Sequence, residues 1–196
     1  MKKKLIYLLP ILFLLMQTSC KKCNLKGENV LSFDFDSYDE WLLYSEYAEE
    51  DEFYSRIEDG VLKLKTDQKF TDCQRATYYW NDDFSSIKGF EACIHINQLN
   101  LPKDVDIHFY FSLGNYEVHA NIEKKKSTNT IFKIKADDSG ITSNLKGALK
   151  GGIGNEFEDD NYTDNFIQIA LCPQEDSENS EGEMYIEIDK IEVTIL

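Results

Sequence analysis

Three stretches decide how this chain folds: Phe90–Leu99 (FEACIHINQL), Val105–Phe111 (VDIHFYF) and Tyr116–Lys124 (YEVHANIEK). Each alternates apolar and polar residues in twos, the period of a strand with one buried face. The apolar sets are Phe90, Ala92, Ile94 and Ile96; Val105, Ile107, Phe109 and Phe111; Tyr116, Val118, Ala120 and Ile122. The opposite parity holds Glu91, Cys93, His95 and Asn97; Asp106, His108 and Tyr110; Glu117, His119 and Asn121. Short links at Leu101-Pro102 and Gly114-Asn115 separate the runs, which predicts antiparallel neighbours in one sheet. On that expectation all three histidines of the chain, His95, His108 and His119, stand in one row on one face. Tyr110, Asn97 and Asn121 surround them.

The same period recurs on either side. Leu31–Asp36 (LSFDFD), Val61–Lys65, Ala76–Trp80, Thr130–Lys135, Phe166–Leu171 and Met184–Leu196 read as further strands. Turn signals lie at Glu58-Asp59-Gly60, Asp138-Ser139-Gly140 and Gly151-Gly152. Ser37–Ser55 reads as an aromatic-anchored loop with a short helical turn, and Asp137–Asp164 as a long loop. No dozen residues fit an amphipathic helix, and no internal repeat is visible. Many short strands without helices predict an all-β chain, an antiparallel jelly-roll β-sandwich spanning residues 29–196.

With 196 residues, 42% of them hydrophobic, the chain has length and apolar content for one domain with a packed core. Its 36 acidic residues against 21 Lys and Arg give a net charge of −15, which repels phosphate backbones and excludes nucleic acid as partner.

Residues 1–19 read as an export signal: Lys2, Lys3 and Lys4, then an apolar stretch from Leu5 to Met16 that is too short to span a bilayer comfortably. Gln17-Thr18-Ser19-Cys20 resembles a lipobox, and the leader resembles those of Bacteroidetes-type lipoproteins. That resemblance implies lipidation of Cys20, a tether over residues 20–28 and a place at the outer membrane, facing the periplasm or the cell surface. Acyl chains would supply the membrane affinity, each buried methylene contributing about 0.8 kcal/mol. Four cysteines follow, Cys23, Cys73, Cys93 and Cys172; an exported chain can pair them, and three full pairings stand open.

Phe33-Asp34-Phe35-Asp36, Trp41, Ile57–Leu64 (IEDGVLKL) and the closing Met184–Val193 (MYIEIDKIEV) resemble jelly-roll domains related to carbohydrate-binding modules and to concanavalin-like lectins and glucanases. The resemblance implies a glycan or polysaccharide partner. It also implies a structural calcium between first and last strands, with Asp34, Asp36 and Asp189 as hard oxygen ligands. Glu187-Ile188-Asp189-Lys190-Ile191-Glu192 further resembles the ExDxxE motif of laminarinase-like glycoside hydrolases. There Glu187 would be the nucleophile and Glu192 the acid/base, about 5 Å apart for retaining chemistry. A bulge between Asp189 and Glu192 must keep them on one face, and Lys190 stands where that family has an apolar residue.

Three readings of the histidine row compete: a solvated sheet face, a three-histidine zinc site, or a ligand face. In the last, Tyr110, Trp80 and Tyr78 would stack on sugar rings while His95, Asn97, His108, His119 and Asn121 hydrogen-bond hydroxyls. The favoured expectation is a membrane-anchored, non-catalytic carbohydrate-binding lipoprotein. Its alternatives are a structural or assembly lipoprotein that binds a protein partner, and a laminarinase-like hydrolase.

Overall fold

Period-two alternation becomes two antiparallel sheets in the computed structural model, which describes residues 25, 30–36, 40–44, 54–67, 73–101, 106–122, 126–144, 149–153, 165–172 and 183–196. The strands are β1 (Val30–Phe33), β2 (Trp41–Tyr44), β3 (Tyr54–Glu58), β4 (Val61–Asp67), β5 (Gln74–Trp80), β6 (Gly89–Asn100) and β7 (Asp106–Leu113). They continue as β8 (Tyr116–Ile122), β9 (Lys126–Asp137), β10 (Gly140–Ser143), β11 (Leu149–Ile153), β12 (Asn165–Cys172) and β13 (Glu183–Ile195). No helix occurs among the described residues.

The seven-stranded sheet runs β10-β9-β6-β13-β4-β3, with β1 also paired to β13. The six-stranded sheet runs β11-β8-β7-β12-β5-β2. Apolar parities of both sheets meet between them: Phe90 of β6 lies 5.4 Å from Phe111 of β7, and Phe109 lies 5.3 Å from Phe132 of β9, centroid to centroid. A second aromatic cluster closes one end of the core, where Phe33, Trp41, Tyr78, Trp80 and Phe84 pack with centroids 4.7–6.1 Å apart. Edge-to-face contacts of this kind add to area burial. The chain is an all-β jelly-roll sandwich.

Two turns fix register. Asp59 (φ 54°) and Gly60 (φ 71°) form the two-residue link of the β3–β4 hairpin, the backbone that matches strand twist. Gly114 (φ 59°) starts the β7–β8 link, where any side chain would collide with the Phe84 carbonyl oxygen. Its N–H donates to Asn165 Oδ1 at 2.8 Å.

Two expectations are corrected. Strands β6 and β7 are consecutive but lie in different sheets, facing one another across the core. The parity of each strand is as read; the adjacency is not. The expected loops Ser37–Ser55 and Asp137–Asp164 contain β2, the start of β3, β10 and β11. Trp41–Tyr44 is apolar throughout and shows no alternation. β11 carries Gly151 and Gly152, which weaken a strand yet are tolerated at a sheet edge.

One disulfide joins Cys73 and Cys172 at the ends of β5 and β12. Cys93 is disulfide-bonded as well, to a cysteine outside the described residues. Cys20, the lipidation candidate, and Cys23 also lie outside them.

Candidate functional site

The outward face of the six-stranded sheet is built by four central strands in register. Tyr110 of β7 opposes His119 of β8 and Gln168 of β12, and Gln168 opposes Thr77 of β5. One row along, Asn121, His108, Ala170 and Arg75 stand side by side. One row the other way lie Glu117, Ser112, Phe166 and Tyr79. These side chains leave the sheet together because Ile107, Phe109, Val118, Ala120, Ile167, Ile169 and Ala76 take the inward positions and are buried.

Three rings stack on this face. His119 lies 4.3 Å from Tyr110 at an interplanar angle of 16°, and 5.0 Å from His108 at 28°. His108 Nδ1 and His119 Nε2 share a hydrogen bond of 2.7 Å. Gln168 Nε2 donates to Thr77 Oγ1 at 3.0 Å, which fixes its amide between β5 and β7. Tyr79 and Phe166 form a second ring pair 6.0 Å apart, with Tyr79 40% exposed. Burial pushes the Tyr110 phenol above its ordinary range, while the charge of Arg75 pulls it down. Burial also raises the Glu117 carboxyl. The face thus offers rings, amide and imidazole hydrogen-bonding groups and one guanidinium, a set matched to a polyhydroxylated ligand.

Several sequence-derived site residues lie elsewhere. His95 and Asn97 stand on β6 in the seven-stranded sheet, so the three histidines do not share a face and the three-histidine zinc arrangement falls away. Trp80 and Tyr78 have the inward parity of β5; Trp80 is 7% exposed and both pack in the aromatic cluster. Neither is a surface stacking platform. Tyr110, His108, His119 and Asn121 are brought together as expected. Arg75, Thr77, Tyr79, Phe166 and Gln168 were missed, although the alternations QRATYYW and NFIQIALC carry their parity.

The carboxylates of the last strand form a separate cluster on the outward face of the seven-stranded sheet. Register shifts flank Ile188. Met184, Ile186 and Ile188 point inward before this irregularity, Ile191 and Val193 after it. A bulge is present, but it lies at Ile188–Lys190, where the register skips Asp189, and not between Asp189 and Glu192 as expected; Glu187 and Glu192 share the outward side. Glu192 Oε2 meets His95 Nε2 at 2.9 Å, and Glu192 Oε1 meets Lys190 Nζ at 2.9 Å. Burial alone would raise the Glu192 carboxyl, but hydrogen bonds and charge from Lys190 and His95 outweigh it and hold it low. A general acid needs the opposite shift. Burial raises Asp189, with His95 opposing.

Around this cluster the face is laced with ion pairs. Glu58 accepts from Lys63 at 2.9 Å and pairs with Arg56 at 3.2 Å, and Arg56 lies 3.9 Å over the Tyr54 ring. Asp34 and Asp36 are exposed, with Asp36 beside Gly60 of the β3–β4 turn. Among the described residues no three His, Cys, Asp or Glu side chains gather to hold a metal, so Asp34, Asp36 and Asp189 do not make the expected calcium cage.

No family model matches the chain, and no curated protein matches it. Among solved structures it is similar to a prokaryotic β-1,3-1,4-glucanase (lichenase) from a mouse hindgut metagenome, with TM-score 0.51, 11% identity, and coverage of 86% of this chain and 100% of that one. A structure from work on endo-acting O-glycanases of the human gut microbiota that initiate mucin breakdown follows at TM-score 0.47 and 12% identity, covering 86% and 100%. The Emp47p carbohydrate recognition domain follows at TM-score 0.45 and 10% identity, covering 85% and 94%. The likeness to lichenase is one of fold alone, the β-sandwich architecture.

Proposed function

We propose that the protein is an exported lipoprotein, anchored through Cys20 at the outer membrane, whose jelly-roll domain binds carbohydrate without cleaving it. The ligand face is the outward side of the six-stranded sheet. One observation carries the reading: the stacked Tyr110, His119 and His108 beside Gln168 and Arg75, side chains from four strands converging on one surface. Aromatic rings pack on sugar C–H faces, and fixed polar groups read hydroxyls. The hydrolase alternative is disfavoured because both oxygens of Glu192 are engaged by Lys190 and His95 and its carboxyl is held low.

The protein-partner reading retains one observation of its own. Edge strand β2 leaves Leu42 65% and Tyr44 50% exposed, and an uncovered edge can accept another strand. A glycan and polysaccharide array probed with the detergent-solubilised chain separates the two. Binding that Tyr110→Ala weakens about tenfold or more, the worth of one ring contact, supports the carbohydrate reading. Silence across the array from folded protein sinks it and favours β2.

A further inference from the structure

We infer that the sugars taken by this face are anionic, carrying carboxylate or sulfate groups that Arg75 receives; the inference rests on the carbohydrate reading above. The chain has only two arginines among 36 acidic residues. Arg56 is committed to Glu58 and the Tyr54 ring. Arg75 is exposed and, among the described residues, forms no ion pair with an acid. In so acidic a protein an arginine without such a partner, on the face that carries the stacked rings, is set apart from the ion-paired surface of the other sheet.

The surroundings of Arg75 have the same sense. Across β12 only Ala170 separates it from His108, and its charge reaches Tyr110. Two of the three histidines of the chain share the face. Of the outward side chains described on β5, β7, β8 and β12, only Glu117 is acidic, and burial shifts it toward its neutral form. Lys150 of β11 occupies the register position opposite His119, and Asp106 the position opposite Cys172, one row beyond the row that holds His108 and Arg75. A guanidinium receives a carboxylate or sulfate through two parallel hydrogen bonds, geometry that an ammonium lacks.

The test uses the detergent-solubilised full chain with polygalacturonate, alginate and chondroitin sulfate, each beside its carboxyl-reduced or desulfated counterpart. At least one native polymer is expected to bind about tenfold or more tightly than its neutralised form, with affinity falling as salt rises. Arg75→Gln should cut affinity for the native polymer far more than for its neutral counterpart and so remove that preference, whereas Arg75→Lys should restore only part of it. Equal or tighter binding of the neutral polymers overturns the inference while leaving carbohydrate binding intact. Equal loss for both forms in Arg75→Gln, with an unchanged melting temperature, overturns the role of the guanidinium charge. Silence with every polymer, native and neutral, overturns both the inference and the reading beneath it.

Discussion

His108 Nδ1 and His119 Nε2 lie 2.7 Å apart across the β7–β8 hairpin, and Tyr110 stacks on the second ring. One imidazole must donate and the other accept, so each ring fixes the orientation of its partner. The trio is half-buried and lies outside the core. His119→Ala should cost less than about 1 kcal/mol of stability, as surface substitutions do, yet should weaken glycan binding about tenfold or more through loss of both stack and hydrogen bond. Urea midpoints and affinity measured on the same preparation check this. A large stability loss accompanying the binding loss would show the trio to be structural.

Tyr116 reports on the joint between the sheets. Its ring is buried at the start of β8, and its hydroxyl donates to Asp138 Oδ1 at 2.7 Å, in the turn between β9 and β10 of the opposite sheet. That hydrogen bond, then burial, then the charges of Asp138 and Asp137 push the phenol up to about 12. A raised folded-state value favours the neutral form, so the contribution is complete below about pH 10, the ordinary tyrosine value. It fades as pH climbs toward 12. Tyr116→Phe lacks it at every pH, and the stability gap to the unsubstituted chain should hold to pH 10 and narrow above. Denaturation midpoints at pH 8 and pH 11.5 decide; an unchanged gap removes the phenol–Asp138 bond as its source.

Most of the architecture was legible because alternation is local. Which of Phe90 to Asn97 point inward follows from period two alone; the bulge of β13, where buried positions shift from Ile188 to Ile191, breaks that period and was expected only from the likeness of the acidic motif. Sheet membership is not local: a link of five residues, 101–105, fits a hairpin as well as a crossing over the core, and tertiary packing of Phe90 on Phe111 selects the crossing. That one choice separates His95 from His108 and His119. Trp80 misled for a different reason. The polar turn Asn81-Asp82-Asp83 after it resembles a loop-edge platform, but the inward parity of Ala76, Tyr78 and Trp80 settles its burial. Arg75 and Gln168 join the site only through the pairing of β5 with β12, which no single strand reveals.

Cys73 and Cys172 close a loop with a sequence separation of 99 residues. Removing such a link typically costs about 2–5 kcal/mol, since the unfolded chain regains the loop entropy. The double Cys73→Ser, Cys172→Ser variant should lose that much in denaturant titration, and glycan affinity should survive where the protein remains folded. A stability change below about 1 kcal/mol would mean the denatured chain gains little freedom from the cut.

Cys93 has a disulfide of its own, and Cys73 and Cys172 occupy each other. Of the five cysteines only Cys20 and Cys23 remain. Leu25 lines the same small cavity as Cys93, Glu91 and Lys133, so the chain just after Cys23 is near the bond. Lipidation of Cys20 then predicts a Cys23–Cys93 linkage, leaving the anchor outside the disulfide. Mass spectrometry of unreduced peptides from the mature protein reads it directly. A Cys20–Cys93 peptide would contradict lipidation of Cys20.

Glu192 separates ion pair from catalyst. Held low by Lys190 and His95, it favours its ionised form in the folded state. A depressed carboxyl contributes stability that is complete above its unfolded value, about pH 4.5, and is lost as pH falls through the folded value. Glu192→Gln should therefore lower stability at pH 7 by about 1 kcal/mol, the scale of a partly exposed ion pair. The difference from the unsubstituted chain should shrink on acidification below pH 4.5. Glycan affinity should be unchanged, because Glu192 faces away from the six-stranded sheet. Laminarin and mixed-linkage glucan should remain uncleaved by either protein. Reducing-end release by the unsubstituted chain that disappears in Glu192→Gln would instead make this carboxylate an acid/base, and would require Lys190 and His95 to let go of it when substrate binds.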